Sequence, residues 1–199
     1  MEPSILIKAA LLIAGYFAGN LSPSILISKG VYGKDIRTLG SGNAGTTNML
    51  RNFGKKAAAA TLLIDACNGV PFVILGDVLA GEGFGMWCGL AVIAGHIWPV
   101  CFGFRGGKGV ATTLGCAIFV SPLTILISGA VGLVVIALTR RISPGSLIGS
   151  AAFPIAAWCL GKEELILWGV ICAMIIWWKH RANIRRILRG EEPKFRLKS

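Results

Sequence analysis

Three short stretches of this chain combine glycine with cationic, hydroxyl or amide side chains, a composition suited to holding phosphate. The first motif, residues 40–52, reads GSGNAGTTNMLRN. Its glycines leave backbone N–H groups open to a ligand, and Arg51 adds a rigid guanidinium fork. A helix start capped by Ser41 or Asn43 explains the same pattern without a ligand. If the motif binds phosphate, its further candidate ligands are Ser41, Gly42, Asn43, Thr46, Thr47 and Asn48.

The first motif also contains G-x-G-x-x-G, and Asp65 follows its last glycine by 20 residues. A dinucleotide site built on this pattern needs a preceding strand and a βαβ unit. Here the motif lies between two apolar segments and Asp65 falls inside the second, so we reject that function. A carboxylate buried there must be paired or neutral, and Asp65 is either a support for the basic loops or a catalytic group.

The second motif, residues 95–112, reads GHIWPVCFGFRGGKGVAT. Its end resembles a nucleotide phosphate loop, but Gly109 follows Lys108 where Ser or Thr is required, so nucleotide hydrolysis is not supported. Lys108 nevertheless lies among Gly106, Gly107 and Gly109, directly before an apolar segment. The N-terminus of the following helix would direct its dipole and free N–H groups at any anion that Lys108 binds.

Two histidines accompany these motifs. His96 opens the second motif near the end of an apolar segment, where an ionisable side chain is functional by default or hydrogen-bonded to a neighbouring helix. His180 opens the third motif, residues 180–194, together with Arg181 and Asn183. Binding of anionic lipid headgroups is the alternative for Arg181, Arg185, Arg186 and Arg189; it is strongest for Arg186 and Arg189 and weaker for Arg181.

The elements that position these motifs are membrane helices. The chain has 199 residues, of which 54% are apolar and only 15% charged, and its mean hydropathy is +0.71. These values exclude an ordinary soluble domain. The net charge of +11 would indicate nucleic acid in a soluble protein, but here the basic residues lie between apolar runs, so they act as an orientation signal and we expect no nucleic acid.

Apolar periodicity predicts an all-α, polytopic bundle in one domain, residues 1–199, with seven transmembrane segments. The fourth and sixth have 12 and 15 residues, short of the roughly 20 that a straight span needs, so they are expected to be thin, broken or re-entrant. The segments are Ser4–Ser28, Ala57–Leu79, Phe84–Phe104, Gly109–Val120, Leu123–Thr139, Ser146–Leu160 and Leu165–Trp178.

The basic residues predict the topology. If the short fourth segment crosses, all but Lys8 and Lys162 of the 20 Lys and Arg residues lie on one side, which the positive-inside rule makes cytoplasmic. The N-terminus is then outside and the C-terminus inside. The six cysteines lie in apolar segments without any metal-ligand spacing, which predicts six buried free thiols and no bound metal.

With these motifs in order along the whole chain, the sequence resembles the bacterial PlsY family of membrane acyl-phosphate:glycerol-3-phosphate acyltransferases. The residues that carry the resemblance are Ser41 to Arg51, then Gly95-His96 with Pro99 and Gly106 to Gly109, then His180-Arg181 with Asn183 and Gly190-Glu191. Three positions depart from the family pattern: Ala44 where proline is usual, Thr46 where alanine is usual, and Asn68 where a lysine is expected.

The resemblance implies transfer of a fatty acyl group from acyl phosphate to the 1-hydroxyl of sn-glycerol 3-phosphate, giving lysophosphatidic acid and phosphate. It implies no coenzyme A, cofactor or metal, and it places the site on the cytoplasmic face of the bacterial inner membrane, in contact with membrane lipids. We expect a monomer. The implied catalytic residues are His96, Lys108, Arg51 and Ser41; Ser143, His180, Arg181 and Asn183 join the ligands of the first two motifs, and Asp65 and Glu191 give support.

No Ser-His-Asp arrangement is visible, so direct attack by the substrate hydroxyl is the simpler mechanism. Its proton goes either to His96 or to a phosphate oxygen of the acyl donor.

Two other classes of membrane protein were weighed against this function. An anion transporter uses broken helices and positive helix ends, but needs a polar path across the bilayer that the apolar outer halves do not offer. An alcohol phosphotransferase needs clustered aspartates, whereas Asp35, Asp65 and Asp77 are isolated.

Overall fold

A computed structural model describes residues 4–195, and within that range the regular structure is entirely helical. An all-α fold is therefore confirmed. The helices of this range are α1 Ile5–Gly19, α2 Pro23–Tyr32, α3 Thr46–Cys67, α4 Val70–Ala80, α5 Phe84–Ile97, α6 Val110–Val120, α7 Pro122–Thr139, α8 Ile142–Cys159, α9 Glu164–Lys179 and α10 Arg181–Leu188. Short 3₁₀ turns cover Ile36–Thr38 and Val100–Phe102.

The chain forms two compact units, one up to Val120 and one from Ser121. In the first unit α5 packs against α1, α4 and α6, and α3 packs against α2 and α6. Small residues allow these contacts: a Cβ atom on Gly95 would strike the backbone of Tyr16, and one on Gly115 would strike the carbonyl oxygen of Ala66. In the second unit α8 packs against both α7 and α9.

Several helices are long and apolar enough to cross a membrane. Five candidates meet this test within the described residues: Ile5–Tyr32, Thr46–Ala80, Phe84–Phe102, Pro122–Thr139 and Ile142–Cys159. A sixth is the pair α9 and α10, bent by 65°, and the shorter apolar helix α6 has 11 residues. The predicted polytopic helical bundle is confirmed, whereas seven crossings and the orientation of the termini stay predictions.

Two predicted segment boundaries are wrong. The sixth segment is not short: α8 begins at Ile142, four residues earlier than expected, and reaches 18 residues. Pro144 hid this start, but proline is tolerated in the first turn of a helix, where backbone N–H groups have no intrahelical partner. The second segment also begins earlier than Ala57, because α3 begins inside the first motif at Thr46; it kinks at Gly54, whose φ is +84°.

The cysteine prediction is right in part. All six thiols are free, but only Cys88, Cys116 and Cys172 are buried in the protein. Cys67, Cys101 and Cys159 lie on its surface. An apolar helix in a membrane has a lipid-facing side as well as a core-facing one, so location in an apolar segment does not imply burial by protein.

Candidate active site

Asn48 organises the first motif. Its side chain is 1% exposed, and its Nδ2 lies 3.0–3.1 Å from the carbonyl oxygens of Ile36, Leu39 and Asn43. Its Oδ1 accepts hydrogen bonds from the Ser41 backbone N–H and from Asn52 Nδ2, at 3.1 Å each. The whole amide is thus engaged within the protein. These bonds hold the loop around Asn48 in place, and the role of Asn48 as a phosphate ligand stays a prediction.

Glycine conformation completes this turn. Gly40 and Gly42 have φ values of +54° and +70°, in the left-handed region that favours glycine. A Cβ atom on Gly40 would approach the Asn48 Oδ1 atom to 2.5 Å. Gly45, in place of the predicted Ser41 or Asn43, occupies the N-cap position of α3, and it makes no side-chain capping bond. The N-cap interpretation of Ser41 and Asn43 is therefore wrong.

An ion pair ties the residues before the first motif to the second motif. Arg37 Nη2 lies 2.7 Å from Asp35 Oδ2, and Arg37 Nε contacts both carboxylate oxygens. The remaining nitrogen, Nη1, donates to the carbonyl oxygen of Phe102 at 2.7 Å. The Arg37 side chain holds the pKa of the Asp35 carboxyl well below its usual range, outweighing the effect of burial. The pair is therefore charged, and it fixes the spacing of the two motifs.

The two motifs meet at Gly107. A Cβ atom on Gly107 would strike Nε2 of His96 and lie 2.7 Å from the carbonyl oxygen of Ala44 in the first motif. The Gly107 N–H also donates to the His96 carbonyl oxygen at 3.2 Å. Glycine is required here by close packing alone. The first two motifs are therefore in close contact at this point.

His96 and Asp65 form a buried pair beneath this contact. Nδ1 of His96 lies 3.1 Å from Oδ1 of Asp65, and the two side chains are 5% and 2% exposed. Neither atom has a hydrogen-bond partner elsewhere in residues 4–195. The imidazole therefore lies with one nitrogen towards the carboxylate and the other against Gly107. The pairing of Asp65 was expected, but its partner was not, because nothing in the sequence links positions 31 residues apart.

Lys108 lies where the sequence places it, immediately before a helix. It is half-buried, and Gly109, with φ +81°, leads into α6 at Val110. The first N–H groups of that helix have no intrahelical acceptor. Beside them, the Thr112 hydroxyl is buried and has no hydrogen-bond partner among the described residues. This part of the second motif thus presents a cation and several unused donors.

Two further candidates differ in their surroundings. Arg51 is exposed on α3 and forms no ion pair or hydrogen bond with its neighbours in the described range. The Thr46 hydroxyl at the start of α3 is buried and has no partner within residues 4–195. Ser41 is exposed and Thr47 is half-buried. Each of these side chains therefore keeps hydrogen-bonding capacity that Asn48 does not.

The second unit contains a separate polar cluster around Glu192. One carboxylate oxygen accepts from Ser143 Oγ at 2.6 Å and from Asn183 Nδ2 at 2.7 Å, and the other accepts from Arg186 Nε at 2.8 Å. Burial would raise the pKa of Glu192, but these three hydrogen bonds outweigh it and lower the pKa. Ser143 also accepts from Asn183 at 2.8 Å.

This cluster corrects two sequence assignments. The supporting carboxylate is Glu192, which is 4% exposed, and not Glu191, which is exposed. Two adjacent glutamates cannot be told apart by composition, and helix α10 ends just before them, so helical periodicity gives no guide. Arg186, which we assigned to lipid headgroups, is held inside this cluster.

The remaining predicted ligands of the third motif lie at the junction of α9 and α10. His180 is 3% exposed, and its Nδ1 donates to the Ile176 carbonyl oxygen at 2.8 Å, which assigns the proton to that nitrogen. The Arg181 guanidinium is exposed and lies over the Trp178 ring, 4.6 Å from its centroid.

The sequence did not indicate the structural roles of Arg37, Asp35 and Glu192. The short interval between Asp35 and Arg37 was the one available signal.

These features define a class: a multi-pass, all-helical membrane protein with glycine-rich, cationic motifs at its helix ends. The family model described as glycerol-3-phosphate acyltransferase matches residues 9–190. The glycerol-3-phosphate acyltransferase of Thermoanaerobacter sp. (strain X514) is 42% identical over 188 residues, covering 94% of this chain and 95% of the relative. That of Agrobacterium fabrum is 38% identical over 192 residues, covering 96% and 93%.

Two solved structures share the fold. One is PlsY (YgiH), an integral membrane glycerol 3-phosphate acyltransferase, in its glycerol 3-phosphate form, with a TM-score of 0.89, 33% identity and coverage of 95% of this chain and 96% of that chain. Its lysophosphatidic acid form gives a TM-score of 0.86 and 31% identity, covering 96% of both chains. The chain belongs to the glycerol-3-phosphate acyltransferase family, and it is a multi-pass membrane protein.

Proposed function

We propose that this protein transfers a fatty acyl group from acyl phosphate to the 1-hydroxyl of sn-glycerol 3-phosphate. The products are lysophosphatidic acid and inorganic phosphate, and no metal or coenzyme takes part. The observation that carries the proposal is the contact of the first two motifs at Gly107, beside a cation and unused donors at the start of α6. Both substrates are anionic, so this reaction needs several phosphate-binding groups in one place.

We assign phosphate binding and oxyanion stabilisation to Lys108, Arg51, Ser41 and the N–H groups of Gly106, Gly107 and Gly109. Electrostatic stabilisation of this kind is usually the largest single contribution to catalysis. Thr46, with its buried and unpartnered hydroxyl, joins them. Gly42, Asn43, Thr47, Ser143, His180, Arg181 and Asn183 remain proposed ligands, and Asn48 and Asp65 are proposed positioning residues.

For the proton we favour the phosphate of the acyl donor over His96. The imidazole is enclosed between Asp65 and Gly107, so its contacts suit a support beneath the glycine turn. In the proposed step the substrate hydroxyl oxygen forms a bond to the acyl carbon, and the bond from that carbon to the phosphate oxygen breaks. The departing phosphate takes the hydroxyl proton, so no protein base is consumed.

We further propose seven crossings, with the N-terminus outside and the C-terminus in the cytoplasm of a bacterium. The phosphate-binding motifs then lie on the cytoplasmic face of the inner membrane. Counting the bent pair α9 and α10 as one span gives six candidate spans, and the short helix α6 would be the seventh. We expect one monomeric domain.

Purified protein in lipid nanodiscs, supplied with acyl phosphate and glycerol 3-phosphate, tests the proposal. We expect lysophosphatidic acid and equimolar phosphate, and no product from acyl coenzyme A. Lys108→Ala should lower kcat/KM by about 10²–10³-fold, while Lys56→Ala, an exposed lysine outside the motifs, should leave it unchanged. Activity retained by Lys108→Ala would overturn the site assignment. In liposomes, phosphate uptake without acylated product would favour a transporter instead.

A further inference from the structure

Helix α10 leaves the direction of the preceding span at the position where that span would reach the membrane surface. It is bent by 65° from α9. The end of α9 carries Trp177, Trp178 and Lys179, and the two tryptophans are 41% and 52% exposed. Tryptophan is enriched at the membrane–water interface. If α9 runs along the membrane normal, a bend of 65° leaves α10 closer to the plane of the membrane than to the normal.

The exposed face of α10 carries both cationic and apolar side chains. Arg181, Arg185 and the C-cap residue Arg189 recur every four residues, so they form one row along this face, and all are exposed. Leu188 lies beside the row and is 82% exposed. On the opposite side, Asn183 is buried in the Glu192 cluster. An exposed leucine next to a line of arginines is typical of a helix at a lipid interface.

The charge of this row is not neutralised by the protein. Arg186 is the one arginine of α10 that has a carboxylate partner in the described range, namely Glu192. Arg185 and Arg189 make no side-chain ion pair or hydrogen bond with residues 4–195. Arg181 instead lies over the Trp178 ring and donates a hydrogen bond to the Trp178 carbonyl oxygen at 3.2 Å. Glu191 is the exposed acid next to the row in sequence, so the face keeps a net positive charge.

We propose that α10 lies in the membrane interface and binds the anionic phospholipid headgroups of the bilayer through Arg185 and Arg189. Its apolar partner is the acyl-chain boundary, into which Leu188 inserts. Anionic headgroups satisfy the unpaired guanidinium groups with charge-assisted hydrogen bonds. The protein would therefore enrich anionic lipid around the C-terminal end of its last span.

Lipid retained by the protein measures this preference. The wild type is reconstituted into nanodiscs of equimolar phosphatidylglycerol and phosphatidylcholine, re-extracted gently, and its bound lipids are quantified by mass spectrometry. We expect phosphatidylglycerol to be enriched, and Arg185→Gln/Arg189→Gln to lower the ratio by at least about fivefold, the effect expected from one surface arginine. Arg185→Lys/Arg189→Lys keeps the charge and should keep most of the enrichment.

A matched control removes the same charge elsewhere. Lys8→Gln/Lys162→Gln should retain the wild-type ratio, since neither lysine belongs to the third motif. The enrichment should also fall as salt rises, because surface charges are screened. Equal ratios for the two glutamine double variants would overturn the proposal. So would a wild type without preference for phosphatidylglycerol, or one that retains added lysophosphatidic acid but not phosphatidylglycerol.

Discussion

At the scale of single residues, the structure separates side chains that hold the motifs from side chains that remain available to a ligand. Hydrogen bonds within the protein engage the side chains of Asn48, Arg37 and Glu192. Such bonds are absent, among residues 4–195, from the side chains of Arg51, Thr46 and Thr112. This division matters for mutagenesis, because loss of a positioning residue and loss of a ligand both reduce activity but act on different steps.

Replacing Glu192 tests the cluster in the second unit. Glu192→Gln places an amide N–H₂ among three donors, so we expect a loss of about 1–3 kcal/mol in the free energy of unfolding. Thermal melting in nanodiscs measures it. Glu191→Gln is the matched control, since its side chain is exposed and surface changes usually stay within about 0.5 kcal/mol. A larger effect at Glu191 would contradict the assignment.

The difference in stability between the wild type and Glu192→Gln should depend on pH. The folded-state pKa of Glu192 is lowered, so its stabilisation is complete above the unfolded-state pKa of about 4.3 and is lost as pH falls through the lower folded-state value. Below about pH 4.3 the melting temperatures of wild type and Glu192→Gln should therefore converge. A gap that widens on acidification would show that the sign is wrong.

Arg37 tests the link between the first two motifs. Arg37→Lys cannot bridge the Asp35 carboxylate and the Phe102 carbonyl at once, because lysine lacks the planar fork. We expect kcat/KM for acyl transfer to fall roughly 10- to 100-fold through misplacement of the second motif. Lys29→Gln removes the other cation near Asp35. The Lys29 side chain is 52% exposed, and its Nζ lies 3.3 Å from Asp35 Oδ2, so this variant should change activity less than about twofold. Equal losses in both variants would contradict the bridging role of Arg37, since Arg37→Lys keeps the charge and loses only the planar fork.

At the scale of elements, the short helix α6 depends on close packing. Its buried residues include Gly115, Cys116 and Ala117, and a Cβ atom on Gly115 would strike the carbonyl oxygen of Ala66 in α3. The N-terminus of α6, with Lys108 before it, is placed by this contact. Backbone atoms cannot move aside as a flexible side chain does, so α6 must shift if Gly115 gains a side chain.

Gly115→Ala should therefore destabilise the protein by about 1–3 kcal/mol, the range for overpacking, and lower acyl transfer with it. The measurement is melting temperature together with initial rate. Gly129→Ala is the control: Gly129 is also helical, but a Cβ atom there meets nothing within 4 Å. Alanine favours a helix over glycine by about 1 kcal/mol, so this variant should be neutral or more stable. A stable, active Gly115→Ala protein would refute the packing argument.

Most elements could be predicted from apolar runs, but their ends could not. Pro144 concealed the start of α8, and the polar residues Thr46 to Asn48 concealed the start of α3. Local composition marks neither start: α3 begins after Gly45, and α8 begins two residues after Arg140, whose φ is +54°. The same limit applies to the site: motif residues were identifiable by type, whereas the partners Asp65–His96 and Asp35–Arg37–Phe102 require three-dimensional contact.

At the scale of the whole molecule, the number of crossings decides on which side each motif lies. Fusion reporters test the proposed seven. A C-terminal green fluorescent protein should fluoresce, and alkaline phosphatase joined after Ser121 should be active because it lies outside. If α6 does not cross, the fusion at Ser121 is cytoplasmic and inactive. A fusion after Arg105, before α6, serves as the cytoplasmic reference.

The first motif is held in shape by a carboxamide, and this choice of group has a consequence for turnover. An ammonium or carboxylate at position 48 would respond to the field of an arriving dianion and would change protonation with the medium. A carboxamide carries no net charge and does not titrate. If the proposed function is right, the turn around Asn48 therefore keeps one geometry while charged substrates bind beside it and charged products leave.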